Sequence, residues 1–313
     1  MSINWFPGHM NKATREINEI LPKVDLIIEV VDARLPYSSA NPVIEQFRGN
    51  KPCLKLLSKS DLADPELTQQ WLDHLQKDAN VRALAITTHK PDAIRKLADT
   101  CKQIINKKHD WATVTALITG IPNVGKSTLI NTLTGRQIAK AGNEPAVTQR
   151  QQRINLDDQL ALIDTPGILW PKIENVASGY RLALSGAIKA TAMQEDDVAL
   201  FAAEYFMQAY PELMKERFKL EELPEEGVLF LEVIGKQRGC LGRGGHVDFD
   251  RAAALLINEY RSGKLGQISL ETPDMAEKEH VSVAEIRRLK AEEKEAKNKE
   301  RKAAYKAKNK RGS

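Results

Sequence analysis

The 313-residue chain is poor in cysteine, in aromatic residues and in long apolar runs. Its three cysteines, Cys53, Cys101 and Cys240, lack the spacing of a metal site or a disulfide framework, so we expect small buried side chains in a reducing compartment. No apolar run approaches the roughly eighteen residues of a membrane-spanning helix, and the N-terminus has no apolar core typical of a signal peptide. These absences argue against membrane and secreted disulfide-rich classes, and we expect a soluble, cytoplasmic protein.

Charge is unevenly distributed along the chain, whose formal net charge is +4. Residues 285–313 contain twelve Lys and Arg residues against five Asp and Glu, and the remainder contains 34 basic and 37 acidic residues. The Ala, Glu, Lys and Arg composition of this tail predicts a frayed helix or a disordered arm. Its positive charge favours attraction to RNA phosphates, and the alternative is a solubilising tail with no fixed partner.

Short apolar runs alternate with helix-forming stretches through the first 170 residues. The predicted strands are 25–31, 53–57, 81–86, 114–119 and 160–164, and the predicted helices between them include 65–77 and 91–107. This alternation predicts an α/β fold with a doubly wound, mostly parallel sheet. Beyond Pro171 the pattern changes to helical periodicity. The predicted helices there are 177–189, 196–210 and 249–261, which indicates a small all-helical domain.

The stretch from Gly120 to Thr128 reads Gly-Ile-Pro-Asn-Val-Gly-Lys-Ser-Thr, a complete Walker A phosphate loop. An apolar run precedes it and a helix-forming run follows, which is the strand–loop–helix context that the motif requires. Backbone N–H groups at the start of the helix are expected to surround phosphates. We expect Lys126 to reach the β- and γ-phosphates and the Ser127 hydroxyl to bind Mg²⁺.

A second element, Asp164-Thr165-Pro166-Gly167, follows the last predicted strand of the sheet. An aspartate at this position can hold Mg²⁺ through water, and the Gly167 N–H can meet a γ-phosphate. Between the two motifs lies the polar segment 137–150, where the Thr148 hydroxyl is expected to complete the Mg²⁺ shell when a triphosphate is bound. The spacing is that of small GTPases.

A candidate base-recognition element, Ser58-Lys59-Ser60-Asp61, lies about sixty residues before the phosphate loop. Asp61 is expected to accept two N–H bonds from the guanine edge, with the Lys59 stem along the ring. Thr87 and Thr88 follow the next predicted strand and are expected to complete the base pocket. In most GTPases the base element comes after Asp-x-x-Gly, so this order implies a circular permutation, which neighbouring surface termini permit.

Taken in this order, the motifs resemble those of the circularly permuted ribosome biogenesis GTPase A (YlqF/RbgA) family. The resemblance covers about residues 3–275. The residues that carry it are Trp5-Phe6-Pro7-Gly8-His9-Met10, Asp32-Ala33-Arg34, Ser58 to Asp61, Gly120 to Thr128, Asp164 to Pro171 and Lys236-Gln237-Arg238-Gly239-Cys240. Together with the pattern of strands and helices, the resemblance implies a P-loop GTPase domain at 1–172 and a helical RNA- or ribosome-binding domain at 173–282. The Lys/Arg-rich tail at 283–313 lies outside the resemblance.

The family resemblance also implies a function. It implies a GTPase that binds a late precursor of the large ribosomal subunit and its rRNA and promotes maturation, with hydrolysis stimulated by the ribosomal particle. Two alternatives stay open, a nucleotide-gated RNA-binding module in which hydrolysis is incidental and a metabolic P-loop phosphotransferase. We expect GTP, GDP and Mg²⁺ as ligands, no membrane partner and a monomer.

Three positions depart from the family pattern. Ser58 stands where family members usually have Asn, which predicts weaker guanine affinity with the preference retained through Asp61. The segment Pro145-Ala146-Val147-Thr148 lacks the glycine of a Pro-Gly-x-Thr pattern. Thr87-Thr88 replaces a more usual small polar pair.

The residue that would position the attacking water is harder to predict. Ile168 follows Asp-x-x-Gly where a Ras-like enzyme has Gln, and its side chain cannot hydrogen-bond. Asn123 matches the asparagine that helps to hold K⁺ in potassium-dependent GTPases. His9 is the second candidate, since an imidazole can orient a water near neutral pH, although it could instead pack or touch RNA.

The candidate residues fall into three groups. The nucleotide-binding candidates are Ser58, Lys59, Asp61, Thr87, Thr88, Asn123, Val124, Gly125, Lys126, Ser127, Thr128 and Gly167. The magnesium candidates are Ser127, Thr148 and Asp164, and the catalytic candidates are His9, Lys126 and Thr148. For Asp32-Ala33-Arg34 we expect a structural ion pair in preference to catalysis. Because the helical domain follows Asp-x-x-Gly directly, we also hypothesise that its orientation reports the nucleotide state.

Overall fold

The computed structural model describes residues 18–105, 113–138, 152–167, 169, 173–188 and 193–310. Its strands are β1 (Leu26–Asp32), β2 (Cys53–Ser58), β3 (Val81–Ala85), β4 (Val114–Gly120), β5 (Gln152–Asn155) and β6 (Leu160–Asp164). They form a six-stranded sheet in the order β3-β2-β1-β4-β6-β5. Every neighbouring pair is parallel except β5 with β6. The predicted mostly parallel sheet is therefore confirmed.

The central strands are apolar because helices cover both faces of a parallel sheet. All seven residues of β1 are buried, and the last five residues of β4 are buried as well. The edge strand β5 was not predicted from the sequence. It contains only one buried side chain, Ile154, so it shows no apolar run.

Six helices pack around the sheet in the described part of the chain. They are α1 (Pro36–Ser39), α2 (Pro42–Arg48), α3 (Pro65–Leu75), α4 (Pro91–Arg95), α5 (Leu97–Ile105) and α6 (Lys126–Thr134). Proline opens the first four of these helices, where a missing N–H costs nothing. The single helix predicted over 91–107 is divided at Lys96, where α4 ends.

The helical region consists of α7 (Val176–Ser185), α8 (Glu195–Ala209), α9 (Pro211–Phe218), α10 (Gly227–Gln237) and α11 (Phe249–Arg261). The short helices α9 and α10 were not predicted. One continuous apolar core runs from the sheet into these helices, and it includes Leu26 of β1, Phe206 of α8 and Phe230 of α10. The described residues up to Thr272 accordingly form one compact unit.

A second unit comprises Pro273–Ser313, and within it a single helix, α12, covers Pro273–Lys310. Arg288 of α12 lies 4.0 Å from Glu285 and 3.8 Å from Glu292, which is the i,i±3/4 spacing of helical ion pairs. Of the two predictions for the tail, the helix agrees with this structure. Among the described residues, no helix combines the length and apolarity needed to cross a membrane.

Candidate nucleotide-binding site

The phosphate loop connects β4 to α6 through a backbone that needs glycine at two positions. A Cβ on Gly120 would lie 2.6 Å from the carbonyl oxygen of Val30, so this position excludes a side chain. Gly125 has φ of 96° and immediately precedes Lys126, the first residue of α6. The N–H groups at the start of α6 are therefore presented as they are in anion-binding loops.

The end of β6 places Asp164 beside the phosphate loop. Asp164 is paired in register with Ile118 of β4, and its carboxylate forms a buried ion pair with the Lys126 ammonium. Burial raises the pKa of Asp164, although the Lys126 charge opposes that shift. Lys126 and Asp164, which were predicted to act on phosphate and magnesium, thus lie in direct contact.

Gly167 packs closely against the phosphate loop. A Cβ on Gly167 would lie 3.1 Å from both the Cα and the N of Pro122, which is tighter than an ordinary contact. Thr165 anchors the same segment, since its backbone N and its hydroxyl both donate to the Ile118 carbonyl, at 3.3 and 2.9 Å. The Asp164–Gly167 segment therefore follows the surface of the loop.

The oxygen donors at this site suit a hard cation. Ser127 is half-buried at the start of α6, and Asp164 is buried one strand away. A hydroxyl and a carboxylate are ligands that Mg²⁺ accepts, and this ion usually takes one or two protein groups plus nucleotide phosphates. Val124 is buried and Thr128 is exposed, so the remaining loop positions contribute mainly backbone.

The predicted base-recognition element lies next to the phosphate loop in space. The Ser58 hydroxyl lies 2.6 Å from the Val124 carbonyl oxygen and 2.9 Å from that of Val31, so its single proton is shared between the two acceptors. Ser58 and Val124 are 66 positions apart in the chain. The two predicted halves of the nucleotide site are therefore joined by a direct contact.

Lys59 is held by a buried ion pair beneath the base-recognition element. Its backbone has φ of 55°, and its ammonium donates to the Asp32 carboxylate at 2.9 Å. Arg34 donates to the same carboxylate through Nε at 2.9 Å and Nη2 at 2.8 Å. Burial alone would raise the pKa of Asp32, but the charges of Arg34 and Lys59 outweigh it and hold that pKa well below its usual value. The predicted Asp32–Arg34 ion pair is present.

Asp61 lies beside the loop that follows β3. The Ser60 backbone N and hydroxyl both donate to the Ile86 carbonyl, at 3.2 and 3.0 Å, which brings the adjacent Thr87 close to the tetrapeptide. Thr87 is half-buried and Thr88 exposed. His89, which was not predicted, lies 3.4 Å from the Asp61 carboxylate. Two of the candidate residues predicted from the sequence, His9 and Thr148, lie outside the described residues.

The helical region contributes two further contacts to this site. Asn123 of the phosphate loop donates through Nδ2 to the Gly186 carbonyl at the end of α7, at 2.7 Å. Gln267 donates through Nε2 to the Asp61 carbonyl at 3.2 Å. These pairs are 63 and 206 positions apart, so no local sequence signal could have identified them.

The known proteins that this chain resembles agree with one another in their descriptions. A family model described as a 50S ribosome-binding GTPase matches residues 115–231. Ribosome biogenesis GTPase A of Priestia megaterium is 46% identical over 286 residues, covering 88% of this chain and 99% of that protein. The protein of the same name from Bacillus cereus is 45% identical over 282 residues, covering 88% of this chain and 95% of its own length.

Solved structures show the same fold. GNP-bound YlqF from Thermotoga maritima superposes with a TM-score of 0.64 at 28% identity, covering 84% of this chain and 99% of that one. The likeness extends over the sheet and the helical region together. The sequence identity to full-length relatives and the P-loop architecture lead to one assignment: the chain belongs to the ribosome biogenesis GTPase A (YlqF/RbgA) family and is a GTPase.

Proposed function

We propose that this GTPase binds a late precursor of the large ribosomal subunit and promotes its maturation, with GTP hydrolysis stimulated by the particle. The observation that supports one shared guanine-nucleotide site is the hydrogen bond between Ser58 and the Val124 carbonyl. It links the predicted base and phosphate elements directly. The names of the relatives, which refer to ribosome biogenesis, support the ribosomal part of the proposal.

In this proposal the nucleotide lies across the two loops. Asp61 accepts the N–H groups of the guanine edge, the Lys59 stem lies along the ring, and Thr87 and Thr88 border the base. The backbone of Asn123 to Thr128 surrounds the phosphates, and Lys126 neutralises charge on the β- and γ-phosphates. The Gly167 N–H meets the γ-phosphate, which its close packing on the phosphate loop makes sterically reasonable.

Family members use Mg²⁺, and we propose Ser127, Thr148 and Asp164 as the residues that hold it, directly or through water. The ion would neutralise charge that develops on the phosphate oxygens during hydrolysis. Asp164 is paired with Lys126 in this structure, so it would hold the ion either through a bound water or by exchanging the Lys126 ammonium for the ion. The exchange would leave Lys126 available to the phosphates.

We propose His9 as the residue that orients the attacking water and K⁺, held in part by Asn123, as a further source of positive charge. Asn123 has φ of 59° and donates to the Gly186 carbonyl through its amide nitrogen, and an amide oxygen is a ligand of the kind that hard cations accept. Thr148 is proposed to act with Lys126 on the γ-phosphate.

An exposed basic surface on the helical region is the proposed contact for rRNA. We define the basic loop surface as Lys236, Arg238, Arg243, Arg251 and Phe249, all of which are exposed. Its aromatic and cationic side chains match the chemistry of nucleic-acid contacts, where cations meet phosphates and rings stack on bases. The charged helix α12 is proposed as an auxiliary phosphate contact, and the cytoplasm as the place of action.

Single-turnover hydrolysis of GTP, measured with and without large ribosomal subunits and in K⁺ or Na⁺ at equal ionic strength, tests this function. We expect faster hydrolysis with subunits and in K⁺. An absence of acceleration by subunits would support a nucleotide-gated RNA-binding module instead.

The base assignment has a separate test. Asp61→Asn should transfer preference from guanine to xanthine nucleotides, because an amide can donate to the oxygen at position 2 of xanthine. Equal competition by ATP and GTP in the unmodified protein would instead favour a metabolic phosphotransferase.

A further inference from the structure

A ten-residue segment behind the base-recognition element connects it to the helical region. We call residues 263–272, which follow α11, the strap. The strap residue Ile268 donates its backbone N–H to the Leu62 carbonyl at 3.0 Å, and Gln267 donates to the Asp61 carbonyl at 3.2 Å. We call residues 58–64, which contain the base-recognition element, the base loop. Two consecutive carbonyls of the base loop, those of Asp61 and Leu62, are therefore held by consecutive strap residues.

Ser269 provides a second anchor at the far end of the base loop. Its hydroxyl accepts the backbone N–H of Asp64 at 3.1 Å, and Asp64 begins α3 as its N-cap. The hydroxyls of Tyr205 and Tyr210 donate to the Ser269 carbonyl at 3.0 and 3.1 Å. Ser269 is fully buried. The position of Ser269 is thus fixed by Tyr205 of α8 and by Tyr210, the residue that follows α8.

A third anchor reaches the ion pair under Lys59. Leu270 donates its N–H to the Arg34 carbonyl at 2.6 Å, and the Arg34 side chain binds the carboxylate that also holds Lys59. The Glu271 carbonyl accepts the indole N–H of Trp71 at 3.0 Å. The strap therefore supports the base loop at both ends and from below.

The strap also passes close to the Leu62 side chain at one position. Gly263 has φ of 72°, and a Cβ there would lie 2.6 Å from Cδ2 of Leu62. Leu62 is the neighbour of Asp61. A small residue in the left-handed conformation is needed for the chain to leave α11 and pass directly beneath the loop.

We propose that the strap positions Asp61, so that discrimination between guanine and other purines depends on Gln267 and Ser269. The inference rests on the proposed role of Asp61 in base recognition. A carboxylate on a short loop makes both of its hydrogen bonds to guanine only when the backbone that carries it is fixed within a fraction of an ångström. The strap supplies that restraint from a part of the chain 206 positions away.

The affinities of the full-length protein for GDP and IDP test the proposal. Hypoxanthine lacks the exocyclic amine of guanine but keeps its N1–H and the same phosphates, so the ratio of the two dissociation constants reports the hydrogen bond between Asp61 and that amine. We expect Gln267→Ala and Ser269→Ala to weaken GDP binding by about 3–10-fold, the effect of losing one hydrogen bond, and to weaken IDP binding less, because IDP offers Asp61 only the N1–H. Gln267→Glu, which removes the donor and keeps the shape, should behave like Gln267→Ala.

Lys264→Ala is the matched control, because Lys264 is an exposed strap residue whose charge acts on Glu259 of α11. It should leave the GDP-to-IDP ratio unchanged. Equal weakening of GDP and IDP, or an unchanged ratio in the Gln267 and Ser269 variants, would overturn the proposal. If Asp61→Asn acquires xanthine preference but the strap variants keep the normal ratio, only this inference fails. If Asp61→Asn acquires no such preference, the base assignment itself fails.

Discussion

Ser58 lies where the base and phosphate elements touch, and its hydroxyl is the group that connects them. Its proton is shared between the carbonyls of Val31 and Val124, at 2.9 and 2.6 Å. A serine is shorter than the asparagine that family members usually have, so the contact to the phosphate loop is made close to the β2 backbone. The Ser58 hydroxyl therefore links the two loops directly, in addition to the pairing of β1 with β2 and β4.

We predict that Ser58→Ala weakens GDP binding by about 3–10-fold, because one hydrogen bond between the two loops is lost. Titration of the nucleotide-free protein with a fluorescent GDP analogue measures the effect. Ser60→Ala is the matched control, since it removes a hydroxyl from the same tetrapeptide whose acceptor is Ile86 and not the phosphate loop. A loss no greater in Ser58→Ala than in Ser60→Ala would contradict the proposed role of the link.

Individual residues were predictable where local motifs carry the chemistry. The Walker A sequence correctly predicted the strand, loop and helix that place Lys126 and Ser127 at the start of α6, and the strand-end position of Asp32-Ala33-Arg34 correctly predicted an ion pair. His89 and Gln267 were missed because their positions follow from loop geometry and from contacts across the fold. A histidine or glutamine at an exposed position has no distinguishing pattern in one sequence.

At the scale of elements, α9 and α11 are joined by a two-point ion pair. Arg217 donates to Glu259 through Nε at 2.8 Å and Nη2 at 2.7 Å, and Glu259 is buried. These hydrogen bonds hold the pKa of Glu259 below its ordinary value of 4.5, even though burial opposes them. The pair fixes the short helix α9, which the sequence pattern did not indicate.

We predict that Glu259→Gln lowers the free energy of unfolding at pH 7 by about 1–2 kcal/mol, a value reduced because Arg217 is partly exposed. A carboxylate with a lowered pKa stabilises the fold above its unfolded pKa and loses that effect as the pH falls through its folded pKa. The difference in the free energy of unfolding between the unmodified protein and Glu259→Gln should therefore shrink below about pH 4.5. Urea unfolding at several pH values measures it.

Glu212→Gln is the control for this prediction. Glu212 pairs with Lys215 on the exposed surface of the same helix, at 3.1 Å. It should leave stability unchanged, because exposed pairs contribute little. A pH-independent difference for Glu259→Gln would show that the lost interaction is one of packing and not of charge.

The basic loop surface covers the end of α10, the connection that follows it and the start of α11. We predict that the double substitution Arg243→Ala and Arg251→Ala weakens binding to large ribosomal subunits and reduces the dependence of affinity on salt. The reason is that fewer phosphate contacts release fewer counterions when the protein binds. Sedimentation with subunits at several salt concentrations measures both effects. Arg82→Ala with Arg95→Ala removes the same charge from exposed positions near the sheet and should bind normally.

Elements were predictable when the hydrophobic pattern was long or continuous. The buried strands β1, β2, β4 and β6 read as apolar runs, and the range of α11 matches the predicted one at both ends. The strand β5 has four residues and one buried side chain, and α9 has eight residues, so both elements are too short to show a recognisable hydrophobic periodicity. Their positions are decided by tertiary packing.

At the scale of the molecule, the helical region contacts the phosphate loop through Asn123 and the base loop through the strap. We predict that hydrogen exchange in α7 differs between the GDP-bound protein and the protein with a non-hydrolysable GTP analogue. The reason is that α7 ends at the carbonyl that Asn123 contacts and follows the segment containing Gly167. Identical protection in the two states would argue against nucleotide-dependent reorientation.

The strand order has a consequence for how the molecule is held together. β1, β2 and β3 come from one continuous stretch of chain and β4, β5 and β6 from a later one, and the two half-sheets pair only where β1 meets β4. Ser58 belongs to the first half and Val124 to the second. A nucleotide bound as proposed would therefore contact both half-sheets across this seam. Without it, the halves are joined by the β1–β4 pairing, by the Ser58–Val124 hydrogen bond and by the core beneath them.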